Sequence, residues 1–483
     1  MRLMHRVGFG YNPNETLDKD EVGQAISQLE SPAPRVGLRK FNQMEKLPEP
    51  WPDEHIYDLQ TRVKFASDYR KEKERIEESL YLSKTDKSKL KNRNKRKHRI
   101  DFYDRLAFVH QAIYGADPVR QRFIHFWINH FTIGDTNGTR IYMGHLYQDV
   151  IGNGIDGYFN DLTYEVTRHP AMLTYLDNVY SVGENSIRAK KNKNKNKQLG
   201  LNDNLARELM ELHTVSPLAA YSEEDIHNAA KILAGWGDVF NHKEYAKHFR
   251  EAGISDMNDA YFKRRAEPGT KIVMGVVYPS GKKALRLFVN DLARSKFTID
   301  FLSRKLCVHF ITDTPDIEDI QYVANSWRRS NGFLPAVHKA VIERAALASS
   351  PKLQWPLTWA LALARVSGGT LFYGWEDVFQ GVHTKGESKV RKIMEELGQN
   401  FWSRRQPDGF SVYGEDWISS EHMERRILLS SMMFKHGKPD SNLDAMIARA
   451  GATEATIKLI NQAKTKEEKF ILLACSKDMM GDV

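Results

Sequence analysis

Residues able to move protons or hold a divalent ion lie close together in two stretches of this chain. The first is Asn202-Asp203-Asn204-Leu205-Ala206-Arg207-Glu208-Leu209-Met210-Glu211-Leu212-His213-Thr214, and the second is Arg122-Phe123-Ile124-His125-Phe126-Trp127-Ile128-Asn129-His130-Phe131. His130, Glu208, Glu211 and His213 are the candidate catalytic groups, since imidazole and carboxylate are the usual general acids and bases. Asn129, Asn204, Arg207, Trp236 and Asp177 are the candidate substrate contacts. His130, Glu208 and His213 together are also a candidate ligand set for Zn²⁺, Fe²⁺ or Mn²⁺, which take nitrogen and oxygen donors, and hydrolytic or oxidative chemistry would follow. Glu208 and His213 stand five residues apart, about 140° on a helix, so ligands from another element would have to complete any such set.

The elements that must position these groups read as helices. Asn202 or Asp203 suits an N-cap and Pro217 lies beyond the end. Asn204, Arg207, Glu208 and Glu211 then share one face, and Leu205, Leu209 and Leu212 another. By themselves Arg207 and Glu211 are what an ordinary solvated helix shows. Pro118 suits the first position of the second helix. Its wheel groups Phe123, Phe126, Trp127, His130 and Phe131, with His125 and Asn129 opposite, so His130 is predicted to be buried among aromatics. A buried imidazole needs a partner for each ring nitrogen, whether a carbonyl, a carboxylate or a metal.

Around these two stretches the pattern is mainly α, a multi-helical body with one small β-hairpin. Thr16 is the predicted cap of a helix through Val22. A charged helix is predicted from His55 toward Leu82, with others near 101–115, 118–131, 140–151 and 158–168. His169-Pro170 breaks the chain, and Ser222 with Asp225 forms a capping box. Residues 270–283 carry the hairpin signature, Lys271–Tyr278 followed by Pro279-Ser280-Gly281. Helices return from 284, interrupted by a Gly-, Trp- and Pro-rich stretch at 399–417. One domain over 1–483 is the simplest reading, and the pattern also allows a C-terminal helical subdomain over 284–483.

With 483 residues, 41% of them hydrophobic, the chain can bury a large core. No run is long and apolar enough to span a bilayer. The N-terminus lacks a secretory apolar core, which places the protein in the cytoplasm if that end is complete and leaves export open if a signal lies upstream. Cys307 and Cys475 are the two cysteines, in apolar helical contexts that suit packing thiols. The net charge of +9 is local. Residues 84–99 carry nine Lys or Arg and one Asp, +8, and residues 188–197 carry six Lys or Arg, +6. The remainder is therefore about −5. Both tracts read as exposed basic loops, the first alternatively as a solvated helix end, able to meet an anionic polymer or surface. Neither carries the motif of a sequence-specific nucleic-acid reader.

Several fragments stand in an order that resembles the bacterial family catalogued as domain of unknown function 1800. They are Arg6–Gly10, Phe126–Phe131, His169–Met172 with Tyr175–Asn178, Gly200–Asn202 running into Ala206–Thr214, Gly235-Trp236, Glu267–Gly275, Phe301–Leu306 and Leu397–Gln399. The resemblance spans nearly the whole chain. It implies that Asn129-His130 and the Arg207-Glu208…Glu211…His213 helix are signatures of the family, and it implies no particular activity. Two departures stand out. Relatives often place a histidine where this chain has Ala266 before Glu267, and a proline-rich stretch where it has Phe401-Trp402-Ser403-Arg404-Arg405-Gln406-Pro407, a difference expected at the surface. Two functions of different kinds follow: an enzyme with a buried His/Glu/Arg site, or a non-catalytic binding or assembly protein whose signature residues form a structural polar network.

Overall fold

The computed structural model describes residues 2–38, 48–51, 58–78, 83–136, 138–193, 199–237, 260–349, 352–369, 393–404, 406–437 and 439–482. These residues form a mainly α body. Its one sheet is an antiparallel hairpin, Lys271–Val273 paired with Val276–Tyr278, with Ile272 opposite Val277. Met274 and Gly275 make the turn at φ 49° and 78°, and Met274's N–H is held by Asp225 at 2.5 Å. Buried apolar side chains from Leu3 to Met480 form one continuous core.

At the centre lies the Pro118–His130 helix, here the aromatic helix, all 13 of whose residues are buried. The face opposite His130 is thus as enclosed as the apolar one. His125 stacks on Phe108 with ring centres 4.0 Å apart, and Trp127 donates to His338 Nε2 at 2.9 Å. A polar face is no sign of exposure when neighbours cover the helix all round.

The basic tract 84–99 is not a loop. It is the first half of a helix running unbroken from Lys84 to Tyr114, capped by Ser83, whose Oγ accepts from the Asp86 N–H at 3.0 Å. Apolar periodicity is absent there because the tract packs on the Leu59–Glu77 helix through polar and cation–π contacts. Arg93 meets Glu72, Arg75 meets Asp86, Tyr69 donates to Asn94, and Arg96 lies over Phe65. The described part of the helix expected from His55 is Leu59–Glu77. The second tract begins as a helix, Ile187–Lys193, and residues 194–198 lie outside the described residues.

Other boundaries moved for local reasons. Asp20, not Thr16, caps the Glu21–Glu30 helix by accepting from Gly23 N–H. The 140–151 segment is helical over Arg140–His145 and widens into a π turn at Leu146–Ile151. The expected 158–168 helix is Phe159–Thr167. His169 breaks the chain by capping Pro170–Tyr175, its Nδ1 accepting from Ala171 N–H at 3.2 Å. The Ser222–Asp225 capping box is present as read. Among the described residues, no helix is long and apolar enough to cross a membrane. Cys307 is buried and Cys475 partly so, with no disulfide at either.

Candidate functional site

The short helix carrying the Arg207–Glu211 signature, Asn204–Glu211, is held at both ends by backbone bonds. Asp203 occupies the cap position without a side-chain bond, and Asn202 Oδ1 instead accepts from Asn204 N–H at 3.0 Å. At the far end Leu212 and His213 both bond the Glu208 carbonyl at 3.0 Å. The helix therefore closes before His213. Leu205, Ala206, Leu209 and Met210 are buried, and Asn204, Arg207, Glu208 and Glu211 share the partly exposed face, as the wheel predicts.

Unwinding after Glu211 turns His213 inward beside the aromatic helix. His213 is 1% exposed, its ring centre 5.8 Å from that of His130. Its backbone carbonyl meets His130 Nε2 at 3.1 Å. A carbonyl only accepts, so Nε2 of His130 carries the proton. Burial first, then the neighbouring Lys305 charge, holds His130 well below the usual imidazole range, and it is neutral at physiological pH. Its Nδ1 lone pair then faces Lys305 Nζ at 3.2 Å, which donates.

These bonds bear on His130 in the candidate ligand set His130, Glu208 and His213. One imidazole nitrogen of His130 is tied to a carbonyl, and an amine covers the other. Among the described residues, no group of three or more His, Cys, Asp or Glu is arranged to hold a metal ion. His130 is instead a satisfied core histidine.

Lys305, on the Lys296–Phe310 helix, is the group the sequence did not single out. No carboxylate of a described residue forms an ion pair with it, and its bond is to a neutral ring buried to 1% exposure. Burial brings its ammonium down to about 8, opposed by the Asp408 carboxylate. Glu208 moves the other way. Burial first, then Glu211 and Asp408, raise its carboxyl to about 7, against the lowering pull of Arg207. Asp408 thus acts on both. Tyr175 borders the same cluster, its phenol kept neutral by burial, by Glu208 and by Asp408. Burial and Glu211 push Tyr221 up to about 12.

Asn129 does not reach toward a substrate. It is 1% exposed, its Nδ2 donates to the Phe410 carbonyl at 2.9 Å, and its Oδ1 accepts from Phe410 N–H at 2.8 Å. This two-point clasp fixes the Asp408-Gly409-Phe410 turn against the aromatic helix. Gly409 has φ 75°, and a Cβ there would stand 2.4 Å from the Asn129 carbonyl oxygen. Arg404 pairs with Asp408 at 3.1 Å. Phe401 and Trp402 are 3% and 0% exposed, so the stretch expected at the surface is anchored in the core and delivers Asp408 to the cluster.

Three other candidates lie elsewhere in role. Arg207 forms a forked pair with Glu223, at 2.8 and 3.0 Å, and meets Asp203 at 3.4 Å. This is a surface contact. Trp236 is 0% exposed, packed edge-on to Tyr164 and Tyr261, and belongs to the core. Asp177 is exposed at φ 58° on a turn beside a separate cleft. Near Ala266, the Glu267 carboxylate accepts from Asn185 N–H at 2.9 Å and Nδ2 at 2.7 Å. Glu267 is a latch on the 183–186 turn.

A family model described as a protein of unknown function, DUF1800, matches residues 2–474. The chain belongs to DUF1800. No curated protein and no solved structure matches it. In this DUF1800 chain, four of the fragments that carry the resemblance meet in one place: Phe126–Phe131 brings His130, Tyr175–Asn178 brings Tyr175, Ala206–Thr214 brings Glu208 and His213, and Phe301–Leu306 brings Lys305.

Proposed function

We propose that this protein is an enzyme that carries out proton-transfer chemistry, hydrolysis in the first instance, at the Glu208–Lys305–Asp408 cluster. One observation carries the reading. Two groups of opposite type, a carboxyl raised to about 7 and an amine lowered to about 8, both feel the charge of one exposed carboxylate, Asp408. Groups shifted toward the working pH from opposite sides are the mark of an acid and base pair. Between those values Glu208 is a carboxylate able to take a proton from water. Lys305 is an ammonium able to give one, or to stabilise an oxyanion. His130 orients Lys305 by accepting one of its N–H bonds, and His213 fixes the tautomer of His130 through its carbonyl. Tyr175 offers a neutral O–H, and Asn129 acts through the clasp on the Asp408 turn. Arg207, Trp236 and Asn204 take no part in the proton transfer.

The test is a library of esters, amides, phosphoesters and glycosides incubated with wild type, Glu208→Gln and Lys305→Met. The reading expects a substrate turned over by wild type alone, with kcat/KM rising near pH 7 and falling near pH 8. A substrate turned over equally by folded forms of both variants would overturn it.

A second reading, a binding or assembly protein, has its own observation. Lys84, Lys87, Lys91 and Lys95 share one face of the long helix at spacings of three and four, exposed and, among the described residues, without ion pairs. Such a stripe suits an anionic polymer or surface, and Lys190 and Lys191 add to the basic surface. Salt-sensitive retention on immobilised heparin, lost on changing the four lysines to Gln, would support it.

A further inference from the structure

A second feature is chemically distinct from the acid–base cluster. A cleft of about 480 Å³ opens between the Leu59–Glu77 helix and the turn that follows Pro170–Tyr175. That volume lies in the ~300–1,000 Å³ range of small-molecule sites. Its charged lining balances, with Arg70, Lys73 and Lys97 against Glu74, Glu77 and Asp177. Two threonines, Thr136 and Thr174, also face it. The Thr174 hydroxyl is enclosed and has no hydrogen-bond partner. Tyr180 stands at the rim, 72% exposed.

Asp177 holds a left-handed backbone conformation there, φ 58° and ψ 13°. Its neighbours impose it. Asn178 Nδ2 donates to the carbonyls of Leu233 and Trp236 at 3.1 and 2.6 Å, and Arg265 gathers the carbonyls of Asn178, Val179 and Ser181. Asp tolerates this region better than most residues, yet Gly meets it without strain.

We propose that the cleft binds a neutral, polyhydroxylated ligand, a short oligosaccharide. Each sugar hydroxyl both donates and accepts, and so finds partners in carboxylates and cations together. An anionic ligand would meet three carboxylates in the same space, and a cationic one three cations. Tyr180 supplies an apolar face for a sugar ring. The proposal is independent of the acid–base reading, because binding alone is measured.

The experiment uses the full chain on an array of neutral and acidic oligosaccharides, followed by calorimetry on the best glycan. Tyr180→Ala changes an exposed side chain, and Asp177→Gly keeps the backbone conformation while removing the carboxylate. Neutral glycans should be retained with little salt dependence, and both variants should weaken binding about tenfold or more, ~1.4 kcal/mol. Asp177→Gly should lose that binding with no fall in melting temperature, a split that a purely structural Asp177 would not give. Retention of no neutral glycan, retention of acidic glycans alone, or unchanged affinity in both variants would overturn the proposal.

Discussion

Replacing Asn129 by Ala removes both arms of the clasp on Phe410 and nothing else of size. The lost bonds, 2.9 and 2.8 Å long, join an amide that is 1% exposed to the N–H and carbonyl of Phe410. Phe410 is half-buried, so its backbone groups regain some water and avoid the full orphan penalty. Each bond is then worth roughly 1–2 kcal/mol, which gives about 2–4 kcal/mol for the pair. Gly409→Ala attacks the same junction by another route, with a Cβ 2.4 Å from the Asn129 carbonyl oxygen at φ 75°, and should cost ~1 kcal/mol or more. The assay is the denaturant midpoint of each variant with amide hydrogen exchange across 406–412. Both variants should lower the midpoint and speed exchange in that segment before any other. An Asn129→Ala protein within ~0.5 kcal/mol of wild type, exchanging at the same rate, would refute the clasp.

Glu208→Gln should change stability in a pH-dependent way. A carboxyl raised from 4.5 to about 7 makes the folded chain bind more protons than the unfolded one between those values. Wild type therefore loses stability as pH rises through that window, and the Gln variant should gain about 1–2 kcal/mol over it above pH 7 and nothing below pH 4.5, a range discounted because the group is half-buried. Denaturation of both at pH 4.5, 6 and 8 reads this out. Arg207→Ala should lie within about 1 kcal/mol of wild type in the same assay, since its pair with Glu223 is exposed. Burial holds His125, His130, His169 and His309 far below the usual imidazole range, so their ring signals in NMR should stay fixed from pH 5 to 8. A midpoint near 6.5 for His130 would contradict the lowering that burial and Lys305 impose on it.

Patterns that depend on nearest neighbours were readable in the sequence. The hairpin falls inside 270–283, the Ser222 capping box is present, and Pro118 opens the aromatic helix as its position requires. For 84–99 the sequence left loop and helix end both open, because the contacts that hold the helix come from Tyr69, Glu72 and Arg75 on another helix rather than from an apolar stripe. At the site, the wheel placed His130 among aromatics and grouped Glu208 with Glu211. It could not place Lys305 beside His130 across 175 positions, nor Asp408 near either. The one local hint was Lys305 lying within Phe301–Leu306, a fragment of the family resemblance. Asn129 and Trp236 were misjudged for the same reason. A polar group on a signature helix reads alike whether it contacts a ligand or the protein's own backbone.

The central claim is that Lys305 is an enclosed amine with a lowered proton affinity, and competitive labelling tests it most directly. Wild-type protein is treated with a trace of isotopically labelled acetic anhydride from pH 6 to 11, fully acetylated with unlabelled reagent after unfolding, and the Lys305 peptide is quantified by mass spectrometry. The account expects the labelling of Lys305 to follow an inflection at about 8, below the ordinary lysine value of ~10.4. An inflection for Lys305 at the ordinary lysine value would contradict it, and with it the acid–base pair.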